Sequence, residues 1–166
     1  MTIDTLFGPE TITPKPRAIK LKTIKAVYQT LTVSDTITDY LKPHTRYTSA
    51  SQVFDTFGFL RHETKEYFMA LHLDGKNRVV CIDMVSTGSL NQSIVHPREL
   101  FKTALLSSAA AVLLIHNHPT GDPTPSTEDL TITRRLMEAG DMIGIRVLDH
   151  IIIGDNFYSF AERGHI

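Results

Sequence analysis

The chain has 166 residues, 42% of them hydrophobic and 21% charged, with 17 Lys+Arg against 18 Asp+Glu and a net charge of −1. That length favours one domain with a proper core, and the balanced charge removes any global electrostatic case for strong nucleic-acid binding. The single cysteine excludes an internal disulfide and any cysteine-rich zinc site; with no apolar run near membrane-spanning length and no leader-like N-terminus, the expectation is a cytoplasmic protein without a membrane partner.

Residues 1–17 carry Pro9, Pro14 and Pro16 and no apolar period, which predicts an irregular arm. Five basic residues between Lys15 and Lys25 are interleaved with Ile19 and Leu21. This reads as a solvated strand edge, because no base-stacking residues accompany the charges. Residues 1–44 are therefore expected to form an arm with the first strand or strands, and 45–166 the main domain, with a linker around Pro43. Ser49 opens a helix that places Val53, Phe54 and Phe57 on one face. Residues 66–73 and 78–85 are β-rich runs around a turn at 74–77, an antiparallel hairpin in which Cys81 is expected to be a buried structural thiol. Pro97 suits the first position of a helix whose stripe is Leu100, Phe101, Ala104 and Leu105. The apolar run 109–115 is a candidate buried strand. A further helix after Ser126 passes through Leu130, Arg134 and Met137 and is expected to stop near Gly140. The chain then closes with 145–148 and a hairpin, 150–153 to 157–160. This order predicts an α/β fold of three layers, a mixed central sheet with helices on both faces.

The chemistry concentrates where the strand 109–115 runs out. His116 and His118 follow it, then a loop with Pro119, Gly121, Pro123 and Pro125, then Ser126 and Asp129. At a strand end, residues i and i+2 point to the same side, which lets two imidazoles converge on one metal. Ser126 is a natural N-cap, so the Asp129 carboxylate lies in the first helical turn, where the loop can bring it back over the histidines. Two His and one Asp with a fourth position for water is the layout of a catalytic zinc site. With eight histidines in the chain a bare H-x-H means little; the longer string carries the reading. Asn117, between the two histidines, faces the other way and reads as structural.

The string His116-x-His118-Pro119-x6-Ser126-x-x-Asp129 resembles the signature of the JAMM (MPN+) metalloproteases. The stretches VSTGSLNQSIVHPRELFKTAL (85–105), HNHPTGDPTPSTEDL (116–130) and GIRVLDHIIIG (144–154) narrow the resemblance to the RadC family. The resemblance implies a cytidine-deaminase-like fold of the JAB/MPN type, one zinc per chain held by His116, His118 and Asp129, and hydrolysis of a peptide or isopeptide bond in a protein or peptide substrate. It also implies a glutamate general base on an earlier strand, for which Glu66 occupies the matching place. By position alone Glu66 is an ordinary strand-end residue, and Glu63 is its rival. Ser126, in the same pattern, implies an oxyanion stabiliser beside its capping role. Full-length members carry a helix-hairpin-helix region that has no counterpart here, so the chain is expected to be a short form with weak or no nucleic-acid binding.

Four alternatives compete. The single cysteine cannot supply the Cys pair of a zinc nucleoside deaminase. A non-haem iron site shares the two-His, one-carboxylate set. A DNA-associated repair protein or metal-dependent nuclease follows from the family label, and a non-catalytic protein-binding module is disfavoured by the complete ligand set. His96 and His150 receive no role.

Overall fold

The computed structural model describes Lys25, Val27, Tyr28 and residues 45–88 and 95–166. The proline-bearing arm and most of the basic stretch, with whatever strands 1–44 contribute, lie outside the described residues.

The described elements are α1 (Ala50–Phe57), a 3-10 turn (Gly58–His62), β1 (Glu66–Leu73), β2 (Val79–Gly88), α2 (Pro97–Leu106), β3 (Ala111–Asn117), α3 (Thr127–Ile143), β4 (Arg146–Ile153) and β5 (Phe157–Ser159). The strands form one mixed sheet in the order β2-β1-β3-β4-β5. β1 is antiparallel to both β2 and β3, β3 is parallel to β4, and β4 is antiparallel to β5. The early hairpin is as expected: Asp74 Oδ1 accepts from the backbone amides of Lys76 and Arg78, closing the turn.

β3 occupies the middle of the sheet and every one of its residues is buried. A strand covered on both faces reads as a continuous apolar run rather than an alternation, which is what Ala111 to Ile115 shows. Period two still sorts its side chains. Ala111, Leu113 and Ile115 pack with Val53 and Phe57 of α1, whereas Val112 and Leu114 pack with Leu100, Phe101 and Ala104 of α2 and Leu136 of α3. The architecture is therefore α/β with three layers, α1 on one face and α2 with α3 on the other. Extending the same alternation past the apolar run sends His116 to the α2/α3 face and Asn117 to the α1 face.

Several boundaries and burials differ from expectation. α3 does not stop at Gly140 but continues to Ile143, ending on Gly144 in the left-handed region at φ 76°. Gly140 is a packing position inside the helix: a Cβ there would lie 2.4 Å from the Ile145 carbonyl oxygen. Residues 146–148 and 150–153 belong to one strand, β4, because both halves pair with the same strand, β3. Leu105 is 57% exposed and lies off the buried stripe of α2. Cys81 is a free thiol only half-buried, since β2 is the edge of the sheet. Among the described residues no helix is long and apolar enough to cross a membrane.

Candidate metal centre

His116, His118 and Asp129 converge, with one potential ligand atom from each lying within 4.8 Å of the others. Three elements bring them together. His116 is the penultimate residue of β3, and His118 follows the strand end, its N–H donating to the Ile153 carbonyl of β4 at 2.8 Å. Asp129 comes from the first turn of α3, where Ser126 caps the helix in a reciprocal capping box.

The capping box also orients the carboxylate. Asp129 Oδ2 accepts from Ser126 N at 2.7 Å and from Ser126 Oγ at 2.6 Å. His116 Nδ1 lies 3.4 Å from Asp129 Oδ1, and His118 Nε2 lies 3.4 Å from Asp129 Oδ2. The two separations run to different carboxylate oxygens, and each taken singly is close to the roughly 3.3–3.4 Å distance between two ligand atoms bound at about 2.0–2.1 Å in a tetrahedral site. His118 Nδ1 meets the Asp122 carbonyl at 2.7 Å; as an N–H donor there it leaves Nε2 as a bare lone pair turned toward Asp129. His116 Nδ1 is buried and forms no hydrogen bond. A buried polar nitrogen is costly to leave unpaired, and a cation completes it. The donor set of two imidazoles and one carboxylate suits zinc.

The loop between the ligands is braced from below. Gly121 takes φ +85° and its carbonyl accepts from Asp155 N at 2.7 Å. The β4–β5 turn presses so closely that a Cβ on Gly154 would lie 2.1 Å from Gly121 O. Gly154 is therefore both a turn residue and the seat of the site loop.

The charges follow from this packing. Burial drives His116 down to about 4 against the pull of Asp129, with His118 adding to the decrease. Burial also opposes charge on His118, but Asp129, the Asp122 carbonyl and Glu66 together raise it above its ordinary value. Burial by itself would raise Asp129, yet His118, His116 and the Ser126 hydrogen bonds hold it well below the usual carboxylate range. The unmetallated site thus keeps an ionised carboxylate beside one neutral imidazole.

Glu66 opens β1, two residues before Phe68, which pairs with His116. It therefore sits on the same face of the sheet as the histidines and is half-buried. Burial raises its pKa first, His118 opposes, and the Asp129 charge adds to the rise. Glu63 is exposed at the end of the 3-10 turn, off the strand. Ser126 adjoins the ligands, but its hydroxyl proton is committed to Asp129 Oδ2.

Asn117 carries more than its place in the string suggested. It is fully buried, accepts from Tyr67 N at 2.7 Å, and donates to the carbonyls of Lys65 and Leu60, both at 3.0 Å. Two of these backbone partners, Lys65 just before β1 and Tyr67 within it, flank Glu66, so the residue between the two histidines ties down the start of the strand that carries the glutamate. His150 went unassigned in the sequence, yet it is wholly buried beside His116, their rings 5.7 Å apart and nearly parallel at 21°. Nothing in local spacing signals that contact, because it crosses from β4 to β3.

Comparison with known proteins agrees with this picture. Residues 47–165 match the family model described as RadC-like JAB domain. Over 121 residues the chain is 67% identical to a protein of Pelobacter propionicus, covering 72% of this chain and 53% of that protein. Over stretches of the same length and coverage it is 65% identical to one of Geobacter sulfurreducens and 64% identical to one of Geotalea uraniireducens. All three bear the name UPF0758 protein. The chain spans about half the length of these relatives.

Proposed function

The chain belongs to the RadC-like JAB-domain family, and from that premise we propose that it is a zinc-dependent hydrolase of the JAMM type, cleaving a peptide or isopeptide bond in a protein or peptide substrate. The observation that carries this reading is the convergence of His116, His118 and Asp129 around the unpaired, buried Nδ1 of His116. One zinc ion per chain, held by these three, would supply Lewis acidity and lower the pKa of a water toward about 7.

The rest of the work falls to the chain's own residues. Glu66 takes the proton of the attacking water on its carboxylate and returns it to the leaving amine. Its burial supports that role, since a carboxylate whose pKa is raised is a stronger base than one free in water. Asn117 keeps Glu66 at a set distance from the ligands. Despite its burial, Asp129 stays ionised because His118, His116 and the Ser126 hydrogen bonds all favour its charged form. For Ser126 to stabilise an oxyanion as well, its hydroxyl must turn from Asp129 Oδ2 toward the substrate; its first role is to support the ligand.

Metal analysis of the purified wild type and of His118→Ala, paired with a peptide-library cleavage assay, tests the reading. The wild type is expected to hold one zinc per chain, and the variant to lose metal and cleavage together. Unchanged zinc content in His118→Ala would refute the ligand assignment.

A further inference from the structure

His150 and Thr133 form a buried pair behind the ligands. Thr133 lies one helical turn beyond Asp129 on α3 and donates its hydroxyl proton to the Asp129 carbonyl at 2.6 Å. A threonine hydroxyl has one proton to give. The contact between Thr133 Oγ1 and His150 Nδ1, at 2.7 Å, is then an N–H donated by the histidine. That tautomer leaves His150 Nε2 as a lone pair, and this nitrogen is buried without a partner. A phenylalanine or leucine would fill the same space with no unpaired nitrogen, so core packing alone does not explain a histidine here.

Its neighbours do explain it. The His150 ring is sandwiched between Phe160, at 4.8 Å and 17°, and His116, at 5.7 Å and 21°. Phe68 closes a third side against both histidines, at 5.3 Å from His150 and 5.8 Å from His116. One side chain from β4 thus contacts the ring of one candidate ligand on β3 and, through Thr133, the backbone of another on α3.

We infer that His150 and Thr133 are positioning residues that set the His116 ring and the first turn of α3 in the relative geometry a tetrahedral metal requires. The inference rests on the metal-centre reading and extends it to two residues that touch neither metal nor substrate.

Cobalt(II) titration of the full chain, read by visible absorption and by competition with a chelator, tests it. Thr133→Val keeps the shape and removes the hydroxyl. Its cobalt affinity should fall about 10–100-fold, as is typical when an outer partner of a metal ligand is lost, and its visible bands should change. Thr133→Ser restores the hydroxyl and should recover affinity to within about threefold and the wild-type bands. His150→Phe keeps a ring against His116 but removes the N–H, and should weaken binding by a similar factor. Because the two residues act along one path, the double variant should be no weaker than either single one. A purely structural role would lower thermal stability while leaving affinity and spectrum of the folded protein unchanged. Wild-type affinity and bands in folded Thr133→Val and His150→Phe would overturn the inference. Failure of the wild type to bind cobalt would overturn the metal centre itself, and this inference with it.

Discussion

Replacing Asn117 with leucine removes three hydrogen bonds from a fully buried side chain of similar size. The losses are unequal. Lys65 is exposed, so water can reach its carbonyl. Leu60 is buried, but its carbonyl keeps a second donor, the Glu63 N–H at 3.1 Å, whereas the half-buried Tyr67 N–H loses the Asn117 acceptor. The stranded N–H costs about 1–3 kcal/mol, and each lost bond to a carbonyl that keeps another partner about 0.5–1.5 kcal/mol. The apolar side chain gains part of that back by burial, leaving a net destabilisation of about 1.5–3 kcal/mol. At about 2–4 °C per kcal/mol for a chain of this size, the melting temperature should drop by roughly 3–12 °C. Asn117→Asp keeps an acceptor for Tyr67 N but turns a carboxylate oxygen on two carbonyls. It should lose at least as much at neutral pH and recover part of it where the carboxyl protonates. Thermal unfolding of the metal-free proteins measures both, separating stability from metal retention. Cleavage should fall further than the folded fraction, because the broken bonds flank Glu66. A melting point for Asn117→Leu within about 2 °C of wild type would refute the assignment of these bonds as structural ties.

Glu66→Gln preserves shape and all three candidate ligands, so zinc content and melting should be retained while turnover falls about 10²–10⁴-fold; Glu63→Gln should leave all three unchanged, and the reverse pattern would move the base to Glu63. Gly154→Ala places a methyl 2.1 Å from the Gly121 carbonyl oxygen, which forces the site loop to shift and should cost about 1–3 kcal/mol, read by thermal unfolding together with weakened metal retention. Acid should unfold the metal-free protein early. Burial holds His116 at about 4 and His150 at about 3, below the ordinary value of 6.5, so their contribution is present above about 6.5 and lost as pH falls toward about 4 for His116 and about 3 for His150. At about 1.4 kcal/mol per unit the loss is on the order of a few kcal/mol. His118, raised, contributes in the opposite sense, with stability present below its ordinary value and lost as pH rises. Denaturant unfolding in chelator at pH 7.5, 6 and 5 measures the balance, and stability that rises on acidification would contradict the burial of the two lowered histidines.

Local chemistry was legible in the residues themselves. The capping serines 49 and 126, the proline opening α2, and the apolar run of β3 each act through neighbours a few positions away, and the elements they announce are present. Period two along β3 even sorts His116 from Asn117 before any contact is known. Where local signals misled, a tertiary contact had overruled them. Gly140 looks like a helix stop, but the Ile145 carbonyl needs the space a side chain would fill. Asp149 looks like a break between two short strands, but the residues on both sides of it pair with β3.

The sequence by itself therefore determined the class of fold and the three residues that could hold a metal, because both are written in spacing: two, three and four residues along a strand or helix. Only the tertiary structure decided which buried groups serve that site. Asn117 reaches Tyr67 across fifty positions and Leu60 across fifty-seven, and His150 reaches Thr133 across seventeen. A hydrogen bond between elements depends on how the sheet is ordered and registered, and that order comes from burying both faces of β3 at once, a property of the whole packed chain rather than of any stretch within it.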